Sequence, residues 1–205
     1  MFLEILSLIY GILINIVDTI HDSNILLDYK PITDSILIGM TLFFFLYDRI
    51  ISIFGSGLFT IGGIVGLILI PRSVNAKIWL SLIYLSIPIF IYHLFNINHL
   101  LEILQIEDIL QFIFTVIPII VIALLLALVE DILIPEEYST RKIYDKTFQV
   151  IVMLSFLYFV NFSSYFSDLT SKNRLVLNVF ASVWLGYAIA CTISLIAFPN
   201  IFQKK

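Results

Sequence analysis

The sequence predicts an all-α fold: a polytopic transmembrane helical bundle with seven spans. Three observations lead there. Of 205 residues, 60% are hydrophobic and only 13% charged, against about 25% charged in soluble domains. With a mean hydropathy of +1.07, lipid must be the solvent for most of the chain. Apolar stretches recur at the length of a membrane crossing, for which about 20 residues rising about 1.5 Å each cover about 30 Å of hydrocarbon. The charges collect in short links, none long enough to build a core of its own, so residues 1–205 read as one integral membrane domain.

The first span is 2–20. "MFLEILSLIYGILINIVDTIHD" carries Glu4, has no positive start and no small-residue cleavage site, so it reads as a retained helix rather than a secretory signal. The next spans are 35–54, 57–71, 77–95, 109–129, 147–166 and 175–198. The stretch 57–71 is short and could be half of a re-entrant pair with 35–54, which gives the alternative of six spans. "HLLEILQIEDILQF", residues 99–112, has apolar residues at helical spacing and is expected to lie on the outer surface before turning inward.

Lys and Arg in short loops set orientation. Arg72 and Lys77, then Arg141, Lys142 and Lys146, then Lys204 and Lys205 fall on one side of a seven-span threading. The expectation is a cell (plasma) membrane protein with its N-terminus outside and C-terminus cytoplasmic. Lys172 and Arg174, in an outer link, run against this pattern. Trp184 and Tyr187 are exceptions to the interfacial placement of aromatics, because they fall at mid-membrane.

The net charge of −4 argues against a nucleic-acid partner. The lone Cys191 excludes an intrachain disulfide. Helices associate in lipid through small residues, and two such devices stand out. Gly62 and Gly66 form a G-x-x-x-G, and Ser182, Gly186, Ala190 and Ser194 form a stripe spaced by four. They predict packing within the bundle, or a surface for a homo-oligomer or membrane-complex partner. Pro88 and Pro118 fall mid-span and predict broken helices of the kind that build transport sites.

Ionisable residues inside spans are functional candidates. Asp48 and Arg49 are the pair well inside a predicted span, hence candidates for moving charge; alternatively the span ends at Tyr47 and they are interfacial. Asp18, His21 and Asp22 stand at i, i+3 and i+4 on one helix face, a spacing that can hold a divalent cation. Glu130, Asp131, Glu136 and Glu137 are threaded to the same face of the membrane. His93 and His99 flank the outer end of the fourth span and read as interfacial hydrogen-bonding groups.

Glu136-Glu137-x-x-x-Arg141 resembles the first motif of the CAAX-protease and bacteriocin-processing family of intramembrane proteases. The resemblance implies paired glutamates activating water, with histidines on later helices. Here no histidine follows Arg141, Phe95-x-x-x-His99 precedes the motif, and Thr140 and Lys142 replace the usual aromatic and glycine. The residues themselves read as a helix start, with Pro135 at the first position, acids in the first turn and a Glu137, Arg141, Asp145 ion-paired stripe.

These features predict a small membrane protein that moves a small solute or ion, or a membrane subunit of a larger complex. The alternative is a membrane-embedded enzyme with an acidic metal site at the cytoplasmic face, acting on a lipid or lipid-linked substrate.

Overall fold

The computed structural model describes residues 2–23, 30–57, 60, 76–96, 104–122 and 140–197. Among these every regular element is helical. The helices are α1 (Phe2–Ser23), α2 (Lys30–Tyr47), α3 (49–57), α4 (Ala76–Phe95), α5 (106–122), α6 (Thr140–Phe162) and α7 (Ser171–Ala197). Three stretches among the described residues are helical, long and apolar enough to cross a membrane: Lys30–Tyr47, Ile143–Phe162 and Ser171–Ala197. The chain divides into two compact units, Met1–Ile16 with Glu107–Lys205, and Val17–Ile106.

In the first unit α7 is central. Its stripe of Ser182, Gly186 and Ala190 is buried and faces α1. A Cβ on Gly186 would overlap the Leu8 carbonyl, and a Cβ on Gly11 would overlap the Val183 carbonyl. The two backbones therefore touch, which only glycine at both positions permits. Ser7, Gly11 and Asn15 are the matching buried stripe on α1. Glu4 meets Asn178 about two turns before this crossing on both helices, so α1 and α7 run parallel. On the other side of α7, Asn161 pairs with Asn178, and Gln149 with Trp184, so α6 is antiparallel to α7. The start of α5 meets the start of α7 through Asp108 and Lys172.

In the second unit Pro31 sits at the start of α2, where its missing N–H costs nothing. The predicted span 35–54 is not one helix. It stops at Tyr47, Asp48 is non-helical, and a new helix starts at Arg49. A straight helix would hold residues 45 and 55 about 15 Å apart, yet the Phe45 ring lies 3.1 Å from a Cβ placed on Gly55. The chain thus folds back sharply at Asp48, and residues 49–54 belong to α3 rather than to the span before it. Ser52 to His93 and Thr60 to Ser86 contacts then set α3 antiparallel to α4. Apart from residues 57 and 60, the predicted span 57–71, including Gly62 and Gly66, lies outside the described residues.

Neither proline breaks its helix. Helix α4 runs through Pro88. Helix α5 continues past Pro118 by widening one turn upstream: Phe112–Val116 is π-helical, and the Ile117 N–H donates to the Phe112 carbonyl. A proline ring clashes with the carbonyl four residues earlier, here that of Phe114, and the wider turn moves it aside. Of the stretch 99–112, residues 106–112 lead directly into this helix, and residues 99–103 lie outside the described residues.

The polarity of the helices is inverted relative to a water-soluble fold. On α1 the buried residues include Ser7 and Asn15, while Phe2, Ile5, Ile9 and Ile16 are exposed. On α6 Lys146 is buried, while Phe148, Ile151, Leu154 and Phe162 are exposed. On α7 Asn173, Asn178 and Ser182 are buried, while Ile193 and Ile196 face out. In water each exposed large side chain would forgo about 1.5–3 kcal/mol of burial. In lipid it costs nothing, and polar groups turned inward escape hydrocarbon.

Candidate functional site

The polar side chains of the first unit gather along the faces that α6 and α1 turn to α7. At one end three helices converge. Asn161 donates to Asn178 Oδ1 at 3.0 Å, Asn178 donates back to Asn161 Oδ1 at 3.1 Å, and Asn178 also reaches Glu4 Oε1 at 3.3 Å. Two carboxamides facing each other satisfy both a donor and an acceptor, so Asn178 can be buried at 5% exposure.

Further along, Trp184 Nε1 donates to Gln149 Oε1 at 3.3 Å, and Gln149 Nε2 donates to Asp145 Oδ2 at 3.0 Å. The Lys146 ammonium lies 5.9 Å from the centre of the Tyr187 ring, and the residue is only 6% exposed. A cation over an aromatic face is stabilised by the ring quadrupole. Trp184 and Tyr187, the aromatics the sequence leaves away from the interfaces, each meet a polar group of α6. From Asn161 to Lys146 the seam covers about 22 Å of helix, at about 1.5 Å per residue.

A second polar group ties α5 to the turn before α7. Lys172 Nζ is 2.7 Å from Asp108 Oδ2, and Asn173 Nδ2 donates to the Asp108 carbonyl at 2.9 Å. Gln111 accepts from the Thr170 N–H at 2.9 Å and donates to the Asp168 carbonyl at 2.8 Å. Arg174 donates to the Phe166 carbonyl. The Lys172 charge that runs against the loop pattern is thus matched by an acid on the same face.

Asp48 acts as a helix cap. Its Oδ1 accepts from the N–H groups of Ile50 and Ile51, at 2.9 and 3.0 Å, and its carbonyl accepts from Ser52 N–H. These are the orphan donors of the first turn of α3. Arg49 is exposed. The carboxylate that the sequence offers for charge movement thus also caps α3. Asp48→Ala is expected to cost about 1 kcal/mol, read as a fall in thermal midpoint, whereas Arg49→Gln changes it within about 0.5 kcal/mol.

Asp18, His21 and Asp22 lie on the described backbone of α1, but their side chains lie outside the described residues. Glu130, Asp131, Glu136 and Glu137 lie outside them altogether, as does the Arg141 side chain. Among the described residues no three potential metal ligands come together. In the second unit Ser52 Oγ and His93 Nε2 are 2.9 Å apart, which realises the hydrogen-bonding role expected of His93 as a tie between α3 and α4.

Sequence reasoning missed Glu4, Asn161 and Asn178. The available signal was three polar residues inside or at the edge of apolar stretches. No protein-family model matches the chain, and neither a curated protein nor a solved structure matches it.

Proposed function

We propose that the chain is a seven-span membrane protein that moves a small ion, a proton in the first instance, along the seam on α7. The observation that carries this reading is the line of interacting polar side chains on α6 and α7, of which Asn178 and Lys146 are buried, with a carboxylate, Glu4, at one end and an ammonium, Lys146, at the other. Ionisable groups are costly in hydrocarbon and mark ion and proton paths. The touching backbones at Gly11 and Gly186 leave no room between α1 and α7 for a hydrated cation, whereas a proton needs only titratable and hydrogen-bonding partners. The test is proton flux into liposomes holding the purified protein, with Glu4→Gln as the diagnostic variant.

The relative direction of α1 and α7 favours seven crossings over six. Because α1 and α7 are parallel, an odd number of crossings joins them when both span. Six would set them antiparallel. The fold-back at Asp48 removes residues 49–54 from the second span and places them, in sequence, before the stretch 57–71, which alone is short for a crossing. The threading puts the start of α1, the start of α5, the end of α6 and the start of α7 on one face, which is consistent with their contacts. Loop charge favours that face as the outer one.

A second reading, a membrane subunit of a larger complex, is favoured by α2. Its exposed side carries Ser35 and Gly39, and nothing lies within 4 Å of a Cβ placed on Gly39. Such a small-residue surface suits close approach of another helix. Co-purification of a stoichiometric partner that is lost on Gly39→Leu would favour it. The enzyme with an acidic metal site draws no support from the described residues.

A further inference from the structure

We infer that Asp145 is the inner proton-exchange group of the seam, the counterpart of Glu4 at the outer end; this rests on the seam reading. Such a group must touch both the polar line and the water beyond it. Lys146 ends the line but does not meet that requirement, because it is only 6% exposed and its ammonium is held over the Tyr187 ring. Asp145, its neighbour in sequence, is partly exposed. It stands in the second turn of α6, at the opposite end of that helix from Asn161. The two are about 24 Å apart along the helix axis, at about 1.5 Å per residue. Hydrocarbon is about 30 Å thick, so a spanning α6 holds them near opposite faces.

The two ends are built alike. Glu4 is partly exposed and accepts from the carboxamide of Asn178. Asp145 Oδ2 accepts from the carboxamide of Gln149 at 3.0 Å. The orientation of Gln149 is fixed from its other side. An indole N–H donates only, so Trp184 Nε1 claims the Gln149 oxygen at 3.3 Å and leaves the NH2 group to Asp145. Asp145 is thereby held on the line by a donor that cannot flip. Between Asn178 and Trp184 lie the buried hydroxyls of Ser182 on α7 and Ser7 on α1. The other titratable groups at the level of Asp145 are Arg141, Lys142, Tyr144 and Lys146 on α6, and Tyr187 and Cys191 on α7. The turn of α1 at this level, residues 13–16, brings none. Asp145 is the carboxylate of this group.

The experiment measures proton flux in liposomes holding the full chain in one orientation, with pH set separately on the two sides. Asp145→Asn keeps an oxygen for the Gln149 donor. It is expected to lower flux at least tenfold, with a thermal midpoint within about 2 °C of wild type. Asp145→Glu keeps a titratable group and should retain much of the flux while shifting its dependence on pH at the cytoplasmic face alone. Glu4→Asp should shift the dependence on pH at the outer face alone. Wild-type flux in Asp145→Asn, with Glu4→Gln still inactive, overturns the inference and leaves the seam standing. An unmoved cytoplasmic-face profile in Asp145→Glu, or a shift of both profiles together, shows a structural role and overturns it as well. Absence of any Glu4-dependent flux in wild type removes the seam itself, and the inner group with it.

Discussion

Replacing Gly186 by leucine is expected to force α1 off α7. The new Cβ would meet the Leu8 carbonyl, which is backbone and cannot turn aside. Overpacking where side chains can adjust costs about 1–3 kcal/mol, and here the helices must separate, which sets the effect at the upper end or beyond. The Glu4–Asn178 hydrogen bond lies about two turns away and is lost with the contact. The expected midpoint fall is roughly 6–12 °C, at about 2–4 °C per kcal/mol. Gly11→Leu meets the Val183 carbonyl and behaves alike. Gly39→Leu is the control, since its Cβ enters open space. Its effect stays within about 0.5 kcal/mol. Equal losses at Gly39 and Gly186 would mean that leucine itself, not the close approach, is responsible.

Glu4→Gln is expected to reduce proton flux at least tenfold with little change in stability. Glutamine keeps an oxygen where Glu4 Oε1 accepts from Asn178, so the convergence of α1, α6 and α7 survives. What disappears is the ability to bind and release a proton. Glu4→Asp keeps that ability on a shorter side chain and should retain part of the flux. Thermal midpoints within about 2 °C, of the order of 1 kcal/mol at this chain length, separate loss of function from loss of fold. If Glu4→Gln transports as wild type does, the polar seam holds helices together and moves nothing.

Local rules made much of the fold legible. Apolar length located α1, α2, α4, α6 and α7, three of which hold stretches long and apolar enough to cross a membrane. The spacing of Ser182, Gly186 and Ala190 announced a packing face on α7. Its counterpart, Ser7, Gly11 and Asn15, is readable by the same rule but is masked by the large residues between. The turn at Asp48 has a local signature too, an acid just before a helix start. It is hidden because apolar residues continue on both sides, so hydropathy alone runs two helices together.

The site was less legible. Asn161 with Asn178 and Gln111 with Thr170 are brought together by packing between helices. Composition and periodicity carry no information about which polar residue meets which. Conversely, Asp48 and Arg49 drew attention as charges within one apolar run, and the structure puts them at the junction of two helices. The proline pair shows the same limit. A missing N–H predicts a break, but a widened turn absorbed the clash before Pro118, and α4 passed through Pro88 unbroken.

All of this rests on α1 and α7 crossing the bilayer side by side in the same direction, polar faces inward. Sidedness of the ends tests it most directly. Single cysteines at Phe2 and Lys204, in a chain with Cys191→Ala, would be exposed to a membrane-impermeant maleimide on intact cells and on inverted vesicles. The predicted result is labelling of residue 2 only from outside and of residue 204 only from the cytoplasmic side. Labelling of both from the same side would contradict parallel spanning helices and the seven-span threading together.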